Sequence, residues 1–278
     1  MAFQRTVAWI TGASSGIGAA LARAVAARGA AVVLSGRNRA ALDDLAGTIA
    51  GETLVLPFEV TDHAAMHAAA DAAWNWAAAR GGGIGMLINN AGISQRSLAI
   101  DTAYDVYDRI VAVDLMAPIA LTQALLPRMV ARGTGRIVMI SSVAGKVGVP
   151  MRTAYCAAKF GLIGYADALR SEIVAQGLQV HVVTPGSVRT GVSRNALTAD
   201  GSPRGTSDRA IENGLDPDAV AATMLDRIAA GEREIILATG IEEQMAELRR
   251  TPDALFDQIA ALSVGYAERM AQPAGDSA

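Results

Sequence analysis

Two apolar patterns alternate along this chain. Short runs such as Thr6-Val-Ala-Trp-Ile10 and Ala31-Val-Val-Leu-Ser35 are nearly continuous in aliphatic residues, while the longer segments between them mix alanine with polar residues at helical spacing. The short runs predict strands near 6–10, 31–35, 53–57, 85–89, 136–141, 178–184 and 233–238. The longer segments predict helices near 16–28, 39–50, 62–80, 101–131, 153–176 and 216–230. Strands that are apolar on both faces need cover on both faces, and regular alternation with helices supplies it. The expected fold class is α/β: a doubly wound parallel sheet of about seven strands with helices on both faces.

Two stretches depart from this rhythm. Ser187 to Gly214 is rich in Gly, Ser, Asp and Arg and has little periodicity. A connection of that length inside a compact domain is functional or disordered. Following the sixth strand, at the sheet edge where ligands bind in such folds, residues 187–214 are expected to form a substrate lid. Residues 1–239 then make a single domain, and 240–278 a helical C-terminal extension. Ile241, Met245 and Leu248, then Leu255, Phe256, Ile259, Leu262, Val264 and Tyr266, form the apolar stripe of two helices split at Thr251-Pro252. That stripe needs cover, which its own subunit, a partner subunit or the pocket could provide. From Gln272 onward a frayed tail is expected.

Composition narrows the options. Of 278 residues 51% are apolar and only 4% aromatic, so the core must be aliphatic. A net charge of −3 leaves no basic footprint for nucleic acid. No run of 18 uncharged apolar residues occurs, which argues against a membrane span. Met1-Ala-Phe-Gln-Arg5 leads directly into the first predicted strand, so no signal peptide is expected. The single cysteine, Cys156, excludes an internal disulfide and fits a reducing cytoplasm, the expected location; packing is its expected role. His63 and His67 stand four apart, a spacing open to metal ligation, but belong to an outer helix where solvated side chains are the expectation. No metal site is expected. His181 reads as a strand packing residue.

The candidate chemistry lies in two places. Thr11-Gly-Ala-Ser-Ser-Gly-Ile-Gly18 connects the first predicted strand to the first helix. Glycines there let the backbone approach a pyrophosphate, and the helix dipole and free N–H groups favour its charge. The spacing is G-x-x-x-G-x-G, not the commoner G-x-G-x-x-G. Farther on, Tyr155 and Lys159 share one helix face as i,i+4 neighbours. An ammonium beside a phenol favours the phenolate and makes proton exchange with an alcohol or carbonyl oxygen feasible. Ser142, at the end of the run Gly135-Arg-Ile-Val-Met-Ile-Ser-Ser142, would present a hydroxyl to the same oxygen, with Ser141 as its neighbouring rival.

Thr11-Gly-x3-Gly-Ile-Gly18, Asn89-Asn-Ala-Gly92, Ser142, Tyr155-x3-Lys159 and Pro185-Gly-Ser-Val-Arg-Thr190, in this order and spacing, resemble the short-chain dehydrogenase/reductase family from about residue 5 to residue 238. The resemblance implies a Rossmann-like fold and assigns roles. Tyr155 would be the general acid toward a carbonyl oxygen as hydride arrives from nicotinamide. Ser142 would hold that oxygen, and Lys159 would bind the nicotinamide ribose. Gly12, Ser14, Ser15, Gly16, Ile17 and Gly18 would contact the cofactor along the glycine loop, and Glu59 and Val60 its adenine. Asn89, Ala91 and Gly92 would line the adenine ribose, and Pro185, Gly186, Val188 and Thr190 the carboxamide. One position departs from the family: Asp114 stands where an Asn usually supports a water leading to the lysine. The carboxylate could retain that water, raise the basicity of the relay or weaken it.

Cofactor choice rests on Gly36-Arg37-Asn38. Relatives that prefer NAD usually place an Asp where Gly36 stands; its absence and the Arg37 cation imply NADP(H). The pocket is expected from Ile93 to Ser97, Val143 to Arg152 and the lid, where Arg96, Lys146 and Arg152 could meet an anionic substrate or simply be solvated. Ser94-Gln-Arg-Ser97, Asp101-Thr102 and Asp105-Val-Tyr107 are locally similar to the carbonyl reductases grouped as dehydrogenase/reductase member 7, which act on retinoids, steroids and dicarbonyls. The implied activity is NADPH-dependent interconversion of a lipophilic small-molecule carbonyl and its alcohol, by a homodimer or homotetramer. A 3-oxoacyl thioester reductase and a catalytically silent NADPH-binding sensor or scaffold are the alternatives.

Overall fold

The computed structural model describes residues 3–263. Strands β1 (Val7–Thr11), β2 (Ala31–Ser35), β3 (Thr53–Val55), β4 (Met86–Asn89), β5 (Gly135–Ile140), β6 (Leu178–Pro185) and β7 (Glu234–Leu237) form one sheet. All pairings are parallel, in the order β3-β2-β1-β4-β5-β6-β7. The order reverses direction between β1 and β4, and a doubly wound sheet opens its ligand crevice at such a switch point.

The connecting helices are α1 (Gly16–Ala27), α2 (Arg39–Thr48), α3 (His63–Gly81), α4 (Tyr104–Val111), α5 (Ala117–Arg132) and α6 (Thr153–Ile173). After β6 come the short α7 (Arg209–Glu212) and then α8 (Pro217–Ala229). Side-chain alternation along the strands sorts the helices into two layers. Ala8 and Ile10 of β1 share a core with α1, α2 and α8, whereas Val7 and Trp9 share the opposite core with α3, α5 and α6. Trp9 keeps its polar handle satisfied inside that core, its Nε1 donating to Ser35 Oγ at 2.8 Å.

Two segments differ from the sequence expectation. The β3 strand is shorter, with every residue half-buried, as befits the sheet edge. The helix expected over 101–131 divides into α4, a π-helical segment Ala112–Met116, and α5. Tyr104–Arg132 is the one helical run among the described residues long and apolar enough to cross a membrane; here Ala117, Leu121, Leu125 and Met129 pack into the core.

The extension forms α9 (Gly240–Glu247) and α10 (Asp253–Ser263), divided at Thr251-Pro252 as the sequence implies. The apolar stripe is buried much less than expected. Phe256 is buried, with the Arg170 guanidinium 4.2 Å above its ring and Arg233 at 6.0 Å. Leu248, by contrast, is 86% exposed, and Ile241, Met245, Leu255 and Ile259 are also exposed. What docks α9 is Ala246, packed with Val143, Ile236 and Ala238. The Leu262 side chain, Val264, Tyr266 and the tail from Gln272 lie outside the described residues.

Candidate active site

The glycine loop is fixed by what glycine lacks. Gly12 and Gly16 have φ of +65° and +55°, which side chains rarely adopt. A Cβ on Gly12 would sit 2.8 Å from Ala91 Cα, and one on Gly18 would overlap Gly12 O. The loop is thereby pressed onto the end of β4. Asn90 completes the join: its Nδ2 donates to Thr11 O at 2.9 Å and Gly12 O at 3.2 Å, while its N–H and that of Ala91 donate to Thr11 Oγ1. Ser15 is the N-cap of α1 and makes no side-chain cap. Asn89, expected beside a ribose, has its amide committed to Thr122 Oγ1 and Met139 Sδ, although it borders a small cavity with Val60 and Ala91.

Lys159 and Asp114 meet at the heart of the crevice. The π-helical segment places Asp114 in a fully buried position, its Oδ1 accepting from Ile93 N at 2.8 Å and its Oδ2 lying 3.1 Å from Lys159 Nζ. Lys159 Nζ also donates to Ile140 O at 3.0 Å and lies 5.6 Å from the Tyr155 ring centre. Burial works against the lysine's charge, but Asp114 and then Tyr155 outweigh it and raise the pKa above the usual lysine value. Burial also pushes the Asp114 carboxyl up, with Lys159 and the Ile93 N–H opposing. Gly92 covers the pair; a Cβ there would be 3.1 Å from Asp114 Oδ2.

The two adjacent serines part company. Ser141 Oγ is buried and donates to Lys159 O at 3.0 Å, which removes it from the crevice. Half-buried Ser142 caps the 3₁₀ turn Val143–Gly145, its Oγ accepting from Ala144 N at 3.1 Å and donating to Pro185 O at 3.4 Å. The expectation that Ser142 ends the strand is corrected: β5 stops at Ile140, and a cap orients the hydroxyl. Cys156 packs as expected, accepting from Val149 N at 3.3 Å.

The segments expected to wall the pocket do converge. Leu197 of the lid packs with Ile93, Tyr107, Ala154 and Tyr155, an apolar surround for the phenol. Buried Gln95 ties the wall to α6. Its Oε1 accepts from Ala154 N at 2.8 Å, capping α6 from outside, and its Nε2 donates to Ser97 and Thr102. Arg96, Arg152 and Arg204 all reach Asp208, so the first two are tied to the 187–214 segment and do not stand as free pocket cations. Lys146 is neither a pocket cation nor solvated: it is buried 2.5 Å from Glu234 and donates to Arg249 O. His63 and His67 are exposed on α3, and His181 is buried in β6.

The sequence matches the short chain dehydrogenase family model over residues 6–200. This chain belongs to the short-chain dehydrogenase family. Over 267 residues it is 36% identical to dehydrogenase/reductase SDR family member 7B of Bos taurus, spanning 93% of this chain and 81% of that protein. A metagenomic short-chain oxidoreductase solved with NADP is 29% identical, with a TM-score of 0.70 over 87% of this chain and all of that one. A short chain dehydrogenase/reductase from Burkholderia phymatum solved with NAD shares the fold, with a TM-score of 0.76 at 23% identity over 100% of this chain and 99% of that one. The family binds nicotinamide cofactors.

The end of β2 bears on which dinucleotide. Gly36 is buried, and a Cβ there would be 3.4 Å from Ser14 Oγ. Arg37 is 76% exposed, with Glu59 at 3.6 Å as a loose partner. Asn38 caps α2 through Ala41 N, so its side chain is already engaged. Val188 is buried in the core, and Thr190 closes on the loop, its Cγ2 3.0 Å from where a Gly16 Cβ would stand. The sequence assigns no role to Asn90, Gln95 or Glu242, each of which has a partner far along the chain. Asn90 and Gln95 left a signal, as members of Asn89-Asn-Ala-Gly92 and Ser94-Gln-Arg-Ser97.

Proposed function

We propose that this chain is an NADPH-dependent oxidoreductase that interconverts a lipophilic ketone, aldehyde or dicarbonyl and the corresponding alcohol. The observation that carries the reading is the Asp114–Lys159–Tyr155 arrangement set between a glycine loop and an apolar wall. The glycine loop, Gly92 and the Pro185–Thr190 segment would hold the dinucleotide, with Arg37 and Ser14 placed for a 2′-phosphate. When bound, the cofactor supplies or accepts a hydride. Tyr155 gives its proton to the developing alkoxide, and Ser142 donates a second hydrogen bond to the same oxygen. Lys159 favours the phenolate left behind, and Asp114 keeps the lysine protonated. Ile93, Leu197 and Tyr107 exclude water and favour an apolar substrate.

The test is steady-state oxidation of NADPH and NADH across a panel of lipophilic carbonyls. NADPH should be preferred, and Arg37→Ala should remove most of that preference, since a charge-assisted contact to phosphate contributes on the order of 1.5–3 kcal/mol. Tyr155→Phe should lose roughly 10²–10⁴-fold in turnover while still binding NADPH. Turnover by Tyr155→Phe within a few-fold of wild type, or an initial preference for NADH, would remove the respective assignment.

A further inference from the structure

Glu242 lies on α9, outside the region matched to the family model, yet it reaches the end of β6. Its Oε2 accepts from Ser187 N at 2.7 Å and its Oε1 from Ser187 Oγ at 2.8 Å. The carboxylate thus grips one residue with both oxygens, directly after Pro185-Gly186. Gly186 makes room for it: a Cβ there would overlap Glu242 Oε2 and stand 2.9 Å from Ala238 Cβ. The same residue joins the two ends of the lid. Ser187 O accepts from Leu215 N at 2.9 Å, and Arg189 N donates to Leu215 O at 2.9 Å. On the other side, Ser142 Oγ donates to Pro185 O. The turn 185–187 is therefore held between the serine proposed to bind the reacting oxygen and a carboxylate from the extension.

We infer that Glu242 is a positioning residue, through which the C-terminal extension fixes the turn that receives the nicotinamide half of the cofactor and from which the lid springs. The inference rests on the cofactor reading above. Ser187 offers two donors, and a carboxylate accepts both without rotating. Without it, the Ser187 N–H loses its partner and the turn gains freedom at the point where the nicotinamide must be held still. The α9 helix can hold firm because Ala246 seats it in the core and the Lys146–Glu234 pair holds the connection behind it.

The experiment uses the full chain with Glu242→Ala, Glu242→Gln and Ser187→Ala. Binding is measured for NADPH and for 2′-phospho-ADP-ribose, which lacks the nicotinamide, and kcat and KM are measured alongside. Glu242→Ala should weaken NADPH on the order of ten-fold and lower kcat, as losing a charge-assisted contact implies, while 2′-phospho-ADP-ribose binds as to wild type. Glu242→Gln should recover most of the loss, its carbonyl accepting from Ser187 N and its amide donating to Ser187 Oγ. Ser187→Ala loses only the hydroxyl contact and should show a smaller change of the same kind, which keeps the test available if Glu242→Ala folds poorly. Wild-type NADPH affinity and kcat in both alanine variants, equal weakening of the nicotinamide-free fragment, or no recovery with glutamine would overturn the inference and leave the cofactor reading standing. Absence of NADPH binding by wild type would sink both.

Discussion

Lys159 with Asp114 and Lys146 with Glu234 are near copies of one another in construction. All four side chains are at most 5% exposed. Each lysine donates to one backbone carbonyl, Ile140 O or Arg249 O. Each carboxylate accepts one backbone N–H from a distant segment, Ile93 or Thr251. Only their neighbours differ. The first pair lies below Gly92 and beside the Tyr155 ring, in the crevice. The second faces Arg250 and the link between α9 and α10, with Glu234 O accepting from Arg250. A buried pair is weak evidence for function or for stability until its neighbours are known.

Breaking either pair strands a buried carboxylate and should destabilise the fold by about 3–5 kcal/mol, but only one break should reach the chemistry. Lys159→Met is expected to lose, in its folded fraction, two or more orders of magnitude in kcat, comparable to removing a general acid, with NADPH binding weakened. The folded fraction of Lys146→Met should turn over at close to the wild-type rate. Chemical denaturation and steady-state kinetics on both variants decide it. Catalytic loss in a fully folded Lys146→Met would show that the second pair is also part of the machinery.

A further buried ionisable group, His181, sharpens the contrast because it has no counter-ion among the described residues. His181 Nδ1 faces Glu232 O at 2.6 Å, so it is the protonated nitrogen, and buried Nε2 has no partner among the described residues. Burial lowers its pKa to about 4, the Glu232 carbonyl opposing. Because the folded value lies below the unfolded one near 6.5, the unfolded chain binds the extra proton first. The stabilisation is complete above pH ~6.5 and is lost as pH falls toward 4, by about 3 kcal/mol. His181→Asn, which can keep the donor to Glu232 O, should flatten that part of the stability-versus-pH curve. Equal acid sensitivity of variant and wild type in urea titrations at pH 7 and 4.5 would assign the loss elsewhere.

The same contrast separates what was legible in the sequence from what was not. Strands such as Val7–Thr11 and Ala31–Ser35 were readable because a run covered on both faces must be almost wholly apolar. Glycines 12, 16 and 18 were readable because the backbone geometry admits little else. The π-helical segment was not, since Val111-Ala-Val-Asp-Leu-Met-Ala117 suits an ordinary helix and only the tertiary pull of Lys159 and Ile93 on Asp114 distinguishes it. Lys146 read as a pocket cation or a solvated loop residue, and is neither, for the same reason: its partner Glu234 belongs to the last strand. The Leu248 stripe misled because amphipathic spacing says a face exists, not that it is covered.

Asp114→Asn should have the smallest effect at neutral pH and the most informative one across pH. Asp114 meets two donors, Ile93 N–H and the Lys159 ammonium, with two acceptor oxygens. An amide has one acceptor, so the variant keeps one contact and leaves the lysine's charge uncompensated. Lys159 loses the group that chiefly offsets its burial, so it gives up its proton at lower pH. The alkaline limb of the pH–rate profile for alcohol oxidation should therefore move toward acid, with kcat at pH 7 within about ten-fold of wild type. An unmoved or alkaline-shifted profile would show that Asp114 serves the fold alone and not the proton chemistry of Tyr155.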